Sequence, residues 1–249
     1  MAMTTTARRG GRTKTAGQGA RRLRRGSLTP EMIVIESLKL MDSGGFSLPK
    51  LGRALGADPT AVYRHFASRD ELILAIADRL IEEAMAGFSP LPCWLDTIAE
   101  STRRLRATYR AHPAAAALSA TRTTAKPAEM RIVNILIGAM FEAGFEGEAA
   151  VTAYRAIGDF ALCWAGGEAA FLALDASQQK TDRLSWTRGY LAVDRAEYPH
   201  IWQVRDELAE VTDDAIFETI LAVVIEGFRA IAPRPCTCAK HGGPDGQAT

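Results

Sequence analysis

The stretch Leu55–Leu72, LGADPTAVYRHFASRDEL, decides how the chain is read. Asp58 followed by Pro59 has the form of an N-cap and a first-turn proline, so a helix starts there. Only two large apolar side chains are available to anchor it. Stepping about 100° per residue from Val62 puts Phe66 about 40° and Pro59 about 60° away, on one buried side. Thr60 and Arg64 then fall at about 160° and 200°, facing outward, with Ala61, Tyr63 and His65 on the flanks. A helix this short is stable only against neighbours. Its outward guanidinium, phenol, imidazole, hydroxyl and methyl groups suit phosphates, guanine edges and thymine methyls.

The flanking sequence supplies the neighbours. Thr29-Pro30-Glu31 opens a helix in which Met32, Ile33, Ile35, Leu38, Leu40 and Met41 recur at helical spacing until Gly44-Gly45. A second helix runs from Ser47, with Leu48, Leu51 and Leu55 on one face. Ser68 and Glu71 have capping-box spacing and open a fourth helix through about Ala86. Helix, tight turn and short exposed helix make a helix-turn-helix, whose second helix enters the major groove. The competing reading is an αα-hairpin with a merely solvated polar face.

Residues 29–86 resemble the DNA-binding domain of the TetR family of bacterial transcription regulators. The match lies in SLPKLGRALGADPTAVYRHFASRDELILAI, above all the Tyr-x-His-Phe core and the Ser-Arg-Asp-Glu-Leu that follows it. By that resemblance, Ser47 and Lys50 would reach phosphates, and Thr60 and Ala61 would face base edges or the adjacent backbone. Tyr63 and His65 would contact phosphates, Arg64 would probe the groove floor, and Arg69 would clamp the backbone. Pro49 departs from the family, where a polar or basic residue is common, so one contact is expected to be lost. A long basic arm is a second departure. Its Arg21, Arg22, Arg24 and Arg25 are assigned to phosphates or a flanking minor groove, the alternative being a solvated tail.

Charge distribution fits that reading. The 249 residues carry a net +1. Residues 1–30 hold eight basic and no acidic side chains, +8, which leaves −7 for residues 31–249. Local basic excess, more than overall pI, attracts nucleic acid. The 47% hydrophobic and 24% charged content is ordinary for a globular chain. No apolar run nears the roughly 18 residues of a membrane span, and no hydrophobic stretch follows the basic N-terminus. A cytoplasmic protein without a membrane partner is expected. Cys93, Cys163, Cys236 and Cys238 are too few for a disulfide scaffold.

The remainder reads as helices near 92–111, 126–144, 148–173 and 213–232, a shorter one near 198–210, and a polar irregular loop or lid over 174–197. No sustained period-2 alternation occurs. The expected fold is all-α: an N-terminal three-helix helix-turn-helix domain plus a larger helical ligand-binding and dimerisation domain. The boundaries are 1–26 for a disordered basic arm, 27–88 and 89–233 for the two domains, and 234–249 for a flexible tail. In DDAIFETILAVVIEGFRAI the interior charges Glu218, Glu226 and Arg229 share one narrow stripe. The rest of that helix needs cover on two sides, from a second subunit or from the centre of a monomeric bundle. The small residues Gly158, Ala161, Ala165 and Gly166 suggest that helix 148–173 is the second contributor to a two-fold interface.

The family resemblance further implies a homodimeric repressor released from a palindromic operator by a small molecule; the apolar character of the candidate lining suggests a hydrophobic effector, and no cofactor is expected. Candidate pocket residues are Met130, Asn134, Phe141, Phe160, Cys163 and Trp164, with Trp94, Tyr109 and His112 as further possibilities. Asn134 sits in apolar IVNILIGAMF, where a buried amide would need a partner. A metal- or thiol-responsive regulator using Cys236, Cys238 and His241 is the alternative. A helical enzyme is disfavoured. Asp159 and Glu168, nine residues apart, fall on opposite sides of one helix, and no nucleophile-elbow, zinc-protease or P-loop pattern occurs.

Overall fold

The computed structural model describes residues 28–236 and 238. The arginines assigned to the basic arm and His241 lie outside them. The described chain is helical throughout, with no strand. In order come α1 (Pro30–Asp42), α2 (Leu48–Ala54), a 3-10 helix (Pro59–Arg64) and α3 (Arg69–Ala84). Then follow α4 (Trp94–Ala111), α5 (Pro113–Ser119), α6 (Pro127–Glu142) and α7 (Gly147–Leu172). The last four are α8 (Ala176–Leu191), α9 (Pro199–Gln203), α10 (Arg205–Glu210) and α11 (Asp213–Ile231).

Local chemistry starts each of the first four elements. Thr29 Oγ1 accepts from the Met32 N–H at 3.2 Å, and Ser47 Oγ from the Lys50 N–H at 3.3 Å. Asp58 Oδ1 accepts from the Thr60 N–H at 2.8 Å, and Ser68 Oγ from the Glu71 N–H at 3.1 Å. Each cap satisfies an amide that the helix leaves without a partner. Glu71 reaches back to the Ala67 N–H at 2.6 Å, one residue earlier than the usual capping box would place it. Gly52 is required by packing: a Cβ there would stand 2.9 Å from the Ala57 carbonyl oxygen and the Pro59 nitrogen. It lets α2 lie directly on the start of the 3-10 helix.

Two apolar clusters hold the bundle. One joins Ile33, Leu51, Val62, Phe66, Leu72 and Leu80 of the N-terminal head to Leu105, Tyr109, Ala116 and Ala165 of α4, α5 and α7. The head therefore shares its core with the body and has no separate one ending near residue 88. The other cluster packs Trp94 and Ile98 of α4, Met140 of α6 and Ile157 of α7 against Phe217, Leu221, Ile225 and Phe228 of α11. Across this end, Arg106 forms a bidentate pair with Glu168, both bonds 2.7 Å, and reaches Asp214 at 2.7 Å. Arg103 clamps Glu218 from α4 to α11.

Three expectations change. Residues 174–197 are mostly helix: Asp175 caps α8 by accepting from the Ser177 and Gln178 amides, both at 2.9 Å. The helix has no apolar stripe because none of its side chains is buried. The small residues of α7 serve a contact within the chain, since Ala161 and Ala165 pack in the first cluster. Gly166 faces Ala120 of the α5 C-cap so closely that a Cβ would meet it at 2.5 Å. Finally, the expected flexible tail is anchored where it leaves α11. Arg234 donates its N–H to the Ala143 carbonyl at 2.9 Å, and Cys236 is buried.

Candidate nucleic-acid interface and effector cavity

The short helix Pro59–Arg64 keeps its two anchors, Val62 and Phe66, 2% and 4% exposed. Its tighter 3-10 winding, about three residues per turn, regroups the outward side chains. Thr60 and Tyr63 share one ridge, and Ala61 and Arg64 a second. His65 follows Pro59 and Val62 on the inner ridge and is half-buried. Thr60, Tyr63, Arg64, Lys50 and Arg69 are exposed, while Ser47 and Ala61 are half-buried. The Thr60 hydroxyl donates to Asp58 Oδ1, so it offers a partner its methyl group and an acceptor lone pair. That bond, the backbone bond from Thr60 and the nearby Arg64 hold the Asp58 carboxyl below its usual range.

Polar links bind this head to the body. Asp70, in the first turn of α3, forms a bidentate pair with Arg122 beyond α5 at 2.7 and 2.6 Å. Asp78 of α3 caps α6 from outside, accepting from the Glu129 N–H at 2.9 Å and the Ala128 N–H at 3.3 Å. His112, at the α4–α5 junction, bridges Asp42 at the end of α1 (Nδ1, 2.9 Å) and Glu83 at the end of α3 (Nε2, 3.0 Å). Burial pulls the imidazole pKa down, but the two carboxylates outweigh it and the net shift is upward.

Between head and body lies a cavity of about 290 Å³, close to the lower end of small-molecule sites. Ala77, Ile81 and Met85 of α3 form one wall. The others come from Leu105 and Tyr109 of α4, Ile132 and Leu136 of α6, and Tyr154, Ile157, Gly158, Leu162 and Cys163 of α7. Ser101, Thr102 and Ser119 also line it, with their hydroxyls donating to their own helices' carbonyls. They therefore present lone pairs inward. Tyr109 is buried, which pushes its phenol up to about 12, with the Glu129 carboxylate adding to the effect.

Residues 90–232 match the model for the Tetracyclin repressor-like, C-terminal domain. The chain belongs to the TetR family. This TetR-family regulator is similar to an HTH-type transcriptional regulator of Saccharopolyspora erythraea, 27% identical over 175 residues, 69% of this chain and 72% of the relative. Its fold is like that of Streptomyces coelicolor ActR in complex with actinorhodin. There the TM-score is 0.71 at 21% identity, covering 84% of this chain and 99% of that one. It also resembles BioQ of Mycobacterium smegmatis, TM-score 0.55 at 23% identity over 82% and 99% of the two chains. A BioQ structure with its double-stranded DNA operator matches with a TM-score of 0.51 at 23% identity over 74% and 100%.

Of the pocket residues expected in this regulator, Cys163 and Tyr109 line the cavity. Met130, Asn134 and Phe141 are exposed on α6. The Asn134 amide thus needs no buried partner, and the apolar run around it misled because α6 shows one apolar flank to solvent. Phe160 and Trp164 pack with the second cluster, where Trp94 is buried. His112 joins head to body instead. The missed lining, Ala77, Ile81 and Met85, has no signature in sequence, since small and aliphatic residues on a helix read simply as core. Among the described residues no single helix is long and apolar enough to cross a membrane.

The cysteines meet unexpectedly. Cys236 and Cys238 lie beside Cys93, the N-cap of α4, with Sγ···Sγ distances to it of 3.3 and 2.7 Å. Burial raises the Cys93 thiol and pushes Cys238 up to about 12, while sulfur hydrogen bonds outweigh burial and lower Cys236. Cys93 could not be found from local sequence, being 143 residues from Cys236.

Proposed function

We propose that this TetR-family regulator is a homodimeric repressor, without catalytic activity, that binds a palindromic operator through its 3-10 helix. A small, mainly apolar effector in the cavity releases it. Thr60, Ala61 and Arg64 read base edges, while Ser47, Lys50, Tyr63, His65 and Arg69 hold the backbone. The observation that carries the release step is the shared wall. Ala77, Ile81 and Met85 belong to α3, whose first residue is Arg69. An effector touching that wall acts on the helix that orients the DNA-facing head. It must prefer the released conformer, and a complete switch needs roughly 10⁴-fold preference.

Dimerisation through α11 is supported by a second apolar flank. Phe217, Leu221, Ile225 and Phe228 are buried within the chain, whereas Val223 and Ile231 are 66% and 65% exposed. A two-fold pair would present two recognition helices to two half-sites. The family resemblance and the operator-bound BioQ support the DNA partner; actinorhodin-bound ActR supports an effector of some kind.

Selection of random duplex DNA on the full-length protein, read by sequencing with Arg64→Ala in parallel, tests the reading. A palindrome enriched by the wild type, with Arg64→Ala weaker by ~1–3 kcal/mol, is expected. No motif from folded dimer would reject the operator assignment. Deleting residues 1–26 is expected to flatten the salt dependence of operator binding, because fewer counterions are released. An unchanged slope would remove the arm from the interface.

A further inference from the structure

We propose that Cys93, Cys236 and Cys238 form a binding site for one thiophilic d¹⁰ metal ion, of the Cu(I) or Zn(II) class, separate from the effector cavity. The three sulfurs lie within 4.8 Å of one another. A metal–sulfur bond of about 2.3 Å sets sulfur–sulfur edges of roughly 3.8–4.0 Å in trigonal or tetrahedral geometry. The separations from Cys93, 3.3 and 2.7 Å, are shorter than that range, so the sulfurs move apart by side-chain rotation to admit the ion. A site of three sulfurs selects soft cations, while Mg²⁺ and Ca²⁺ require oxygen.

The fold delivers these ligands from both ends of the body. Cys93 ends the connection from the head to α4. Cys236 and Cys238 arrive after α11, on a segment already tethered by the bond from Arg234 to the Ala143 carbonyl. That bond fixes the chain two residues before Cys236 before any ion binds. Cys93 and Cys236 are buried and Cys238 is half-exposed, which leaves one open side. That side gives the ion an entry path and Zn(II) room for a fourth ligand from solvent; three-coordinate Cu(I) needs none. Each thiol that ligates gives its proton to solvent, so affinity rises with pH. The bound ion ties the end of the α11 segment to the first turn of α4. Cys163, exposed on α7, is not part of the cluster and provides an internal control.

The test uses full-length protein, reduced and freed of metal with a chelator. Cd²⁺ is titrated as a spectroscopic probe, and Zn²⁺ and Cu⁺ in separate arms. One equivalent of Cd²⁺ should produce an ultraviolet thiolate-to-metal charge-transfer band. Cys93→Ser, Cys236→Ser and Cys238→Ser should each weaken binding at least tenfold, with Cys163→Ser unchanged. Bound Zn²⁺ or Cu⁺ should protect three cysteines from alkylation while Cys163 reacts, read by mass spectrometry. Because Cys238 is half-exposed, its variant keeps the test sound even if Cys93→Ser unfolds, which far-ultraviolet circular dichroism would reveal. No band in the reduced wild type, or a band that depends on Cys163, would overturn the site. So would equal alkylation with and without each ion.

Discussion

Pro59–Arg64 and α8 are both polar helical segments, but they are placed in opposite ways. The first is six residues long and fixed by the anchors Val62 and Phe66, by Asp58 and by close contact with Gly52. The second is sixteen residues long, buries nothing, and leaves α7 at 110°. It is held by its Asp175 cap and by contacts with α9 and α10, such as Trp186 Nε1 donating to the Leu208 carbonyl at 3.1 Å. Length did not decide stability of position; burial did. A short helix with two core anchors presents its outward groups rigidly, as recognition requires.

This contrast can be broken by measurement. Phe66→Ala should cost about 3–5 kcal/mol in urea unfolding, because it empties a core shared by head and body. One cooperative transition is expected, and a separate early transition for the head would refute the shared core. Arg106→Ala should cost on the order of 2–3 kcal/mol in the same assay, less than a fully buried pair, since the Asp214 side is open to water. Asp78→Ala should cost ~0.5–2 kcal/mol by removing the external cap of α6. An effect within error would mean that water replaces the carboxylate. Ser185→Ala on the exposed face of α8 should stay within about 0.5 kcal/mol; a larger loss would show that this face is covered in solution.

The His112 bridge adds a pH dependence of determined sign. Its folded pKa is raised above the ordinary 6.5, so its stabilisation is fully present below that value. It is lost as pH rises through the folded pKa. The wild-type advantage over His112→Gln should therefore shrink with rising pH above 6.5. An advantage that grows with pH would mean that the bridge to Asp42 and Glu83 is absent in solution.

The resemblance over residues 29–86 and the caps at Thr29, Ser47, Asp58 and Ser68 were legible because each rests on residues adjacent in sequence. The apolar stripe of α11 was legible for the same reason. Residues 174–197 read as a loop because periodicity signals burial, and nothing on α8 is buried. Asn134 and Phe141 are exposed although the apolar run around them suggests a pocket, because such a run does not say which of its faces meets another helix.

Sequence alone determined the all-helical class, the start of each head element and the exposure of Thr60 and Arg64 on the short helix. These follow from backbone capping, helical period and side-chain polarity, which act within a few residues. Tertiary structure alone decided that α3 walls the cavity, that His112 joins three helices and that Cys93 meets Cys236. Those contacts link residues far apart in the chain, and no local signal encodes which helix faces will close on one another.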